Sequence, residues 1–316
     1  MNARAENLDA RRNLVFEELP GQQLLLDLYR PDTDRLVPVV LYFHSGGWRS
    51  GNKDDCRVRW LTRYGIAVAS VSYRLLPRHL FPTQIQDAKA AVRFLRGNAQ
   101  AFGLHPEQFA AAGLSSGAYL ACMLGLTAGH RVLDEPYVPR PAKLAHPGLP
   151  GRSESYAGEA THVNAVVNYS GLVDFLAIQT LASRRGSRAA KSPEARLLGH
   201  AVAENLNQAK LASPMHHISP DAPPFMHIHG DLNEVTPIDQ TRKFHAALLE
   251  AGVPSKFTLV RGGGHNSRRM MDNPAIQDRV ADFLHRYLET DGIRAVQEET
   301  VARAEAEGPA SPRPTP

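Results

Sequence analysis

One short segment constrains the fold of this chain more than any other. Gly113-Leu-Ser-Ser-Gly117 has the Gly-x-Ser-x-Gly pattern, which places a serine on a strained strand-to-helix turn and exposes its Oγ as a nucleophile. The preceding residues, 108–113, are typical of a short apolar strand, and 118–126 are typical of a buried helix of small and long apolar residues. The sequence therefore predicts a strand, a tight turn and a helix around Ser115.

Near-continuous apolar runs indicate strands that are covered on both faces. Helical segments such as 84–97 and 239–251 lie between the later runs, and this alternation predicts an α/β fold with a mostly parallel, doubly wound sheet. Residues 14–30 instead alternate around a Pro-Gly turn, which predicts an N-terminal antiparallel hairpin. The apolar runs lie at 37–43, 66–72, 165–169, 224–229 and 255–260.

The other segments suggest one domain with loose ends. We expect a flexible N-terminus at 1–13, an α/β domain at 14–290 and a disordered, proline-rich tail at 291–316. Residues 131–162 carry five prolines and are expected to form a long surface excursion. Helical pieces at 175–213 lack strand character and lie where a cap over a pocket can be inserted.

Composition argues against several functional classes. A net charge of +4 is small for 316 residues, and the densest basic stretch, 184–188, lacks interleaved aromatic residues, so we expect no nucleic-acid partner. The first residues have no apolar leader and no stretch approaches the length of a membrane span. Cys56 and Cys122 are far apart, which argues against a structural disulfide. We therefore expect a soluble, cytoplasmic protein.

A glycine-rich loop, His44-Ser-Gly-Gly-Trp48, follows the apolar run that ends at Phe43. When a serine attacks an acyl carbon it generates an oxyanion, and backbone N–H groups have to point at the developing charge. The alternative for this loop is an ordinary glycine-rich turn after a strand. Interpreted as part of a catalytic site, the chain offers four candidate oxyanion donors, the N–H groups of Ser45, Gly46, Gly47 and Ser116.

His265 is the candidate general base. A serine hydroxyl needs a base within hydrogen-bond reach, and a neutral imidazole is the usual one near pH 7. The chain has 14 histidines, and most of them, such as His216 and His217, are expected to be surface or structural residues. His265 differs because it ends a glycine-rich loop after the last predicted strand, downstream of Ser115.

With these segments together, the chain resembles α/β-hydrolases of the esterase/lipase group, which includes hormone-sensitive-lipase-like, feruloyl-esterase-like and kynurenine-formamidase-like proteins. The resemblance implies a serine hydrolase that cleaves a small-molecule carboxylic ester, or less readily an amide, through an acyl-enzyme. It implies that no metal or organic cofactor is needed. The similarity runs from about 22 to 288 and rests on 44–53, 72–77, Phe81-Pro82, 113–117, 219–224, 229–231 and Gly264-His265.

The substrate pocket is expected beside this site. Trp48, Leu172 and Phe175, together with the segment 175–213, are candidate walls. Trp48 and Phe175 have packing in the core as an alternative role. A homodimer is compatible with the sequence, which fixes no oligomeric state.

The sequence departs from the family pattern at two positions. The family loop usually reads His-Gly-Gly-Gly-Trp, and this chain has Ser45 at the first glycine. The family segment after the strand at 224–229 usually reads His-Gly-x-x-Asp-x-x-Val-Pro, with that Asp as the triad acid, and here Asn233 occupies its position. The triad acid sets the tautomer of the imidazole and stabilises the imidazolium, and Asp→Asn in a serine protease lowers kcat about 10⁴-fold.

Three arrangements can supply the third group of the triad. Glu234 or Asp231 reaches His265 after a shift of the loop, Asp174 reaches it from the neighbouring strand end, or Asn233 itself orients the ring. A carboxylate is slightly favoured over Asn233. Each acid also has a structural alternative, because Asp231 suits a turn, Glu234 a solvated loop and Asp174 a helix cap.

Two further functional classes stay open. Ser45 and Asn233 suit a hydrolase-fold lyase, cyclase or acyltransferase of specialised metabolism whose site is tuned away from attack by water. A ligand-binding protein with a degenerate triad is the third class, since fold does not settle function. The presence of both Ser115 and His265 counts against a pure binding protein.

Overall fold

A mixed sheet of eight strands organises the described residues. The computed structural model describes residues 8–134, 156–178, 192–265 and 268–288. The strands lie in the order β1-β2-β4-β3-β5-β6-β7-β8 across the sheet. Their bounds are β1 (Leu8–Leu19), β2 (Gln22–Pro31), β3 (Val37–Phe43), β4 (Ala67–Val71), β5 (Leu104–Leu114), β6 (Ala165–Tyr169), β7 (Phe225–Gly230) and β8 (Ser255–Val260).

Strand direction follows the predicted pattern. β1 and β2 form an antiparallel hairpin around Pro20 and Gly21, and β2 pairs with β4 in the antiparallel sense. Across the sheet from β4 through β3, β5, β6 and β7 to β8, each strand is parallel to the next. The mostly parallel sheet with an N-terminal antiparallel hairpin is therefore confirmed.

Helices cover both faces of this sheet. In β3, Val39, Leu41 and Phe43 belong to one buried cluster, and the alternate residues Val40 and Tyr42 belong to another. This double coverage is the reason that the strand reads as a continuous apolar run. The helices are α1 (Thr83–Gly97), α2 (Ser116–Leu126), α3 (Arg131–Asp134), α4 (Pro193–Leu198), α5 (Leu206–Leu211), α6 (Ile238–Glu250), α7 (Arg268–Met271) and α8 (Pro274–Leu288).

The first strand begins earlier than expected. β1 starts at Leu8, inside the segment 1–13 that the sequence predicts to be flexible, so that prediction is corrected for 8–13. The physical reason is the fully buried carboxylate of Asp27 on β2. It accepts hydrogen bonds at 2.8 Å from the Arg12 guanidinium and from the Asn13 backbone N–H, and it pairs with Lys53 at 3.0 Å. These polar contacts hold residues 8–13, the part of the strand that carries no apolar alternation.

Several predicted segments lie outside the described residues. These are residues 1–7, most of the excursion at 131–162, the basic stretch at 184–188 and the tail at 291–316. The described part of 175–213 contains α4, α5 and short 3₁₀ turns, and its role as a cap stays a prediction. Cys56 and Cys122 are free thiols. Within the described ranges, no helix combines the length and apolarity needed to cross a bilayer.

Candidate active site

Ser115 occupies the turn between β5 and α2. Its backbone has φ +57° and ψ −118°, a conformation that non-glycine residues rarely adopt. The flanking glycines make the turn possible, because a Cβ on Gly117 would lie 1.9 Å from the Phe43 carbonyl oxygen. The Ser115 N–H donates to the Tyr169 carbonyl at 2.9 Å. The hydroxyl is therefore held at the carboxyl ends of the parallel strands, where ligands bind in open α/β sheets.

His265 reaches Ser115 from the loop that follows β8. Its Nε2 lies 2.7 Å from Ser115 Oγ. Burial lowers the pKa of the half-buried His265 ring to about 4, so the imidazole is neutral near pH 7. The loops after β7 and β8 are tied together, because Leu232 N–H donates to the Gly263 carbonyl at 2.9 Å.

Asn233 contacts the other nitrogen of the same ring. Its Oδ1 lies 3.1 Å from His265 Nδ1 and also accepts the backbone N–H groups of Val235 and Thr236 at 3.0 Å each. Because backbone N–H groups only donate, they identify the oxygen end of the amide. His265 Nδ1 therefore carries the hydrogen, and the lone pair of Nε2 faces Ser115.

The three candidate carboxylates bind elsewhere. Asp174 accepts the N–H groups of Leu176 and Ala177 at 3.0 and 3.1 Å, as a helix cap does. Asp231 accepts the N–H of Gly262 at 2.7 Å, which links the loop after β7 to the loop after β8 rather than closing a local turn. Glu234 is exposed to solvent. Among the described residues, the structure brings Asn233 to the ring and leaves these acids apart from it, so the slight preference for a carboxylate finds no support.

The loop after β3 brings several N–H groups near Ser115. Gly46, Gly47 and Trp48 all have positive φ, at +129°, +60° and +59°. Gly47 N–H donates to the side-chain oxygen of Ser116 at 3.0 Å, so this candidate donor already has a partner. The other three candidates, the N–H groups of Ser45, Gly46 and Ser116, meet no acceptor in the described part of the chain.

Tyr73 packs against the loop after β3 and hydrogen-bonds to it, and the sequence alone assigned it no role. Its hydroxyl donates to the His44 carbonyl at 2.9 Å and lies 3.5 Å from Ser116 Oγ. Its ring stacks on the His44 ring at 4.2 Å. Burial raises the pKa of Tyr73, so the hydroxyl keeps its hydrogen. The available signal was its position in the Ser72-Tyr-Arg segment, which the family resemblance already included.

The predicted pocket walls divide into two groups. Trp48 and Phe175 are 2% and 0% exposed, and their rings lie 6.2 Å apart within an aromatic cluster that includes Tyr119. Their packing alternative is therefore favoured. Leu172 is half-buried, and its role as a wall stays a prediction.

Comparisons with known proteins agree with this architecture. A sequence model of the BD-FAE family matches residues 26–248. Esterase LipC of Mycobacterium tuberculosis (strain ATCC 25618 / H37Rv) is 28% identical over 239 residues, which cover 74% of this chain and 54% of LipC. The chain thus spans about half the length of that relative.

Solved structures share the fold. A truncated form of a carbohydrate esterase from gut microbiota has a TM-score of 0.75 at 25% identity, over 90% of this chain and 98% of that one. A bifunctional GH43-CE protein of Bacteroides eggerthii has a TM-score of 0.73 at 30% identity, over 88% of this chain and 38% of that one. The predicted fold class is confirmed.

Proposed function

This chain belongs to the BD-FAE family, and we propose on that basis that it is a serine hydrolase that cleaves a carboxylic ester of a small molecule through an acyl-enzyme. The observation that carries the proposal is the 2.7 Å contact between Ser115 Oγ and His265 Nε2. LipC is named an esterase, and the gut-microbiota protein is named a carbohydrate esterase. Both names agree with the chemistry that this contact allows.

In the acylation step, Ser115 Oγ bonds to the ester carbonyl carbon while its proton moves to His265 Nε2. The carbonyl electron pair moves to oxygen, and the N–H groups of Ser45, Gly46 and Ser116 are the proposed donors to that oxyanion. When the carbonyl re-forms, the bond to the alcohol oxygen breaks. The imidazolium of His265 gives its proton to that oxygen, and the alcohol leaves.

Deacylation repeats these steps with water. His265 Nε2 takes a proton from water as the water oxygen bonds to the acyl carbon. The tetrahedral species collapses by breaking its bond to Ser115 Oγ, which regains a proton from His265. A carboxylic acid leaves and the free serine is restored, so the cycle needs no metal or organic cofactor.

Asn233 has only part of a triad acid's role in this scheme. Its Oδ1 accepts the hydrogen of His265 Nδ1 and so selects the tautomer with a free Nε2. A neutral amide cannot offset the positive charge of the imidazolium as a carboxylate does. We therefore expect slower turnover than in an enzyme with Asp at this position.

The test of the proposed function is labelling by a fluorophosphonate probe. Folded protein should be labelled at Ser115, located by peptide mass spectrometry, and should hydrolyse short p-nitrophenyl esters. Ser115→Ala is the matched control and should lose both properties. Failure of the folded wild-type chain to react would contradict any mechanism with an activated serine.

The same experiment separates the alternatives. Labelling without hydrolysis across a panel of acetyl, butyryl and aromatic acyl esters would favour the lyase, cyclase or acyltransferase class. The cytoplasmic location and the absence of a nucleic-acid partner stay predictions from composition, and a homodimer remains compatible with the sequence.

A further inference from the structure

A second histidine contacts the nitrogen end of the Asn233 amide. His229 lies in β7 and is fully buried, with Nε2 at 3.1 Å from Asn233 Nδ2. Its Nδ1 lies 2.8 Å from the hydroxyl of Thr241 on α6, and the Thr236 carbonyl oxygen lies 3.0 Å from Nε2. Asn233 therefore bridges two imidazoles, one at each end of its amide.

The hydrogen on His229 decides which of these contacts is favourable. Asn233 Nδ2 can only donate, because the backbone N–H groups of Val235 and Thr236 fix the other end of the amide as the oxygen. A hydrogen on Nε2 would satisfy the Thr236 carbonyl but would oppose the hydrogens of Nδ2. A hydrogen on Nδ1 is accepted by Thr241 Oγ1 and leaves the lone pair of Nε2 to accept from Asn233, at the cost of the hydrogen bond to the Thr236 carbonyl.

We infer that His229 is a positioning residue for the proposed hydrolysis: its unprotonated Nε2 accepts a hydrogen bond from Asn233 Nδ2 and helps keep Asn233 Oδ1 on His265. The inference rests on the proposed function for its consequence in catalysis. Its geometry rests on the contacts of the His229 ring alone.

An amide gains from such a partner in addition to the backbone N–H groups, whereas a carboxylate does not. The two oxygens of Asp are equivalent, so either rotamer accepts from His265 Nδ1. An inverted Asn233 would present Nδ2 to His265, force the hydrogen onto Nε2 and direct it at Ser115 Oγ. A base with that tautomer cannot take the serine proton.

The surroundings of His229 hold its ring neutral and fixed. Burial lowers the pKa of His229, which favours the uncharged ring. The contact between His229 Nδ1 and the buried Thr241 hydroxyl links β7 to α6 and fixes the ring. The acceptor nitrogen is therefore available to Asn233 across the neutral pH range.

The first experiment determines the tautomers directly. Long-range ¹H–¹⁵N correlation spectra of the full chain labelled at histidine should show His229 protonated at Nδ1 only, and His265 protonated at Nδ1 only. A hydrogen on Nε2 of His229 would overturn the inference. This measurement needs no substrate, so it stays informative if the proposed function fails in the labelling test.

The second experiment is a double-mutant cycle on hydrolysis. His229→Phe should lower kcat about tenfold with little change in KM, since one hydrogen bond to the amide is lost. In the Asn233→Asp background the same change should alter kcat by no more than about twofold, because either oxygen of a carboxylate can accept the hydrogen of His265 Nδ1. An equal loss in both backgrounds would assign His229 a purely structural role.

Conservative replacement provides the control. His229→Gln offers a carbonyl oxygen as an acceptor for Asn233 Nδ2, and it should retain more activity than His229→Phe. Thermal melting of each variant separates loss of folded protein from loss of catalysis. If His229→Phe does not fold, the wild-type tautomer spectrum still decides the inference.

Discussion

Gly47 donates its backbone N–H to the Ser116 hydroxyl oxygen at 3.0 Å, so the loop after β3 is tied to the first residue of α2. These two segments carry the proposed oxyanion donors. A side chain that holds them at a fixed separation sets the position at which developing charge can be stabilised. The Ser116 hydroxyl also lies 3.5 Å from Tyr73, which holds the His44 carbonyl.

Ser116→Ala should lower kcat about threefold to tenfold, because the loop loses the acceptor that anchors Gly47. KM should change less, since the donors act mainly on the transition state. Steady-state kinetics on a p-nitrophenyl ester measures both quantities. Ser213→Ala is the matched control: it also removes a buried hydroxyl, which bonds to Phe175 N–H and the Ala209 carbonyl, and it should cost stability without this kcat effect.

Asn233→Asp should raise kcat by roughly 10- to 100-fold. A carboxylate there receives the same N–H groups and stabilises the imidazolium of His265. The gain should stay below the about 10⁴-fold seen for the reverse change in a serine protease, because the wild-type tautomer is already productive. Glu234→Gln, which removes an exposed charge from the same loop, should leave kcat unchanged. An unchanged or lower kcat in Asn233→Asp would contradict this account of the amide.

The pH profile of hydrolysis should have its acid limb at unusually low pH. His265 acts only when Nε2 is unprotonated, and burial lowers its pKa to about 4. Activity should therefore be constant from neutral pH down to about pH 5 and then fall, with a midpoint near 4. In Asn233→Asp the new negative charge favours the imidazolium, so the midpoint should move to higher pH. A wild-type midpoint in the ordinary histidine range would disprove the effect of burial.

The acid stability of the fold should depend on His227. This ring is fully buried on β7, where burial lowers its pKa to about 3. The unfolded chain binds a proton near pH 6.5, so the free energy of unfolding should decrease as pH falls below that value, by at most about 1.4 kcal/mol per pH unit from this residue.

Urea titrations at several pH values from about 4 to about 7 measure this slope, because that range extends roughly two units below the pKa of histidine in the unfolded chain. His227→Gln should have a shallower slope, since its amide does not titrate yet can still accept the hydrogen bond from Asn168. His216→Gln, at an exposed position, serves as the control and should keep the wild-type slope. Equal slopes in all three proteins would exclude His227 as the cause.

The sequence was sufficient to predict the strands that are covered on both faces. The runs at 37–43 and 165–169 coincide with the buried strands β3 and β6, because continuous apolar sequence is required wherever helices cover both sides of a strand. The run at 255–260 also coincides with a strand, β8, but the prediction that it is covered on both faces is wrong, since β8 lies at the edge of the sheet and only Val260 in it is buried. The start of β1 was not predictable in this way. Residues 8–13 join the sheet through polar contacts to Asp27, and hydrophobic alternation carries no signal for such contacts.

The sequence was sufficient to predict the nucleophile and the base of the candidate site. It was not sufficient to predict which side chain hydrogen-bonds to the base. Ser115 and His265 stand out by pattern and position, and the structure places them in contact. The choice between Asn233 and nearby acids depends on which side chain the loop's backbone N–H groups meet, and pattern does not encode that. The sequence predicts Trp48 and Phe175 as pocket walls, but in the structure they pack against each other in the interior. Their burial depends on contacts between segments distant in the chain, which the local pattern does not show.

The contact between Ser115 and His265 joins residues that are 150 positions apart in the chain. Ser115 is placed by β5 and His265 by β8, and two further strands lie between them in the sheet. Contacts of such long range form late, because the entropy of closing a large loop opposes them. Recovery of serine reactivity during refolding should therefore report assembly of the sheet from β5 to β8, and a rapidly formed local unit should leave the serine unreactive.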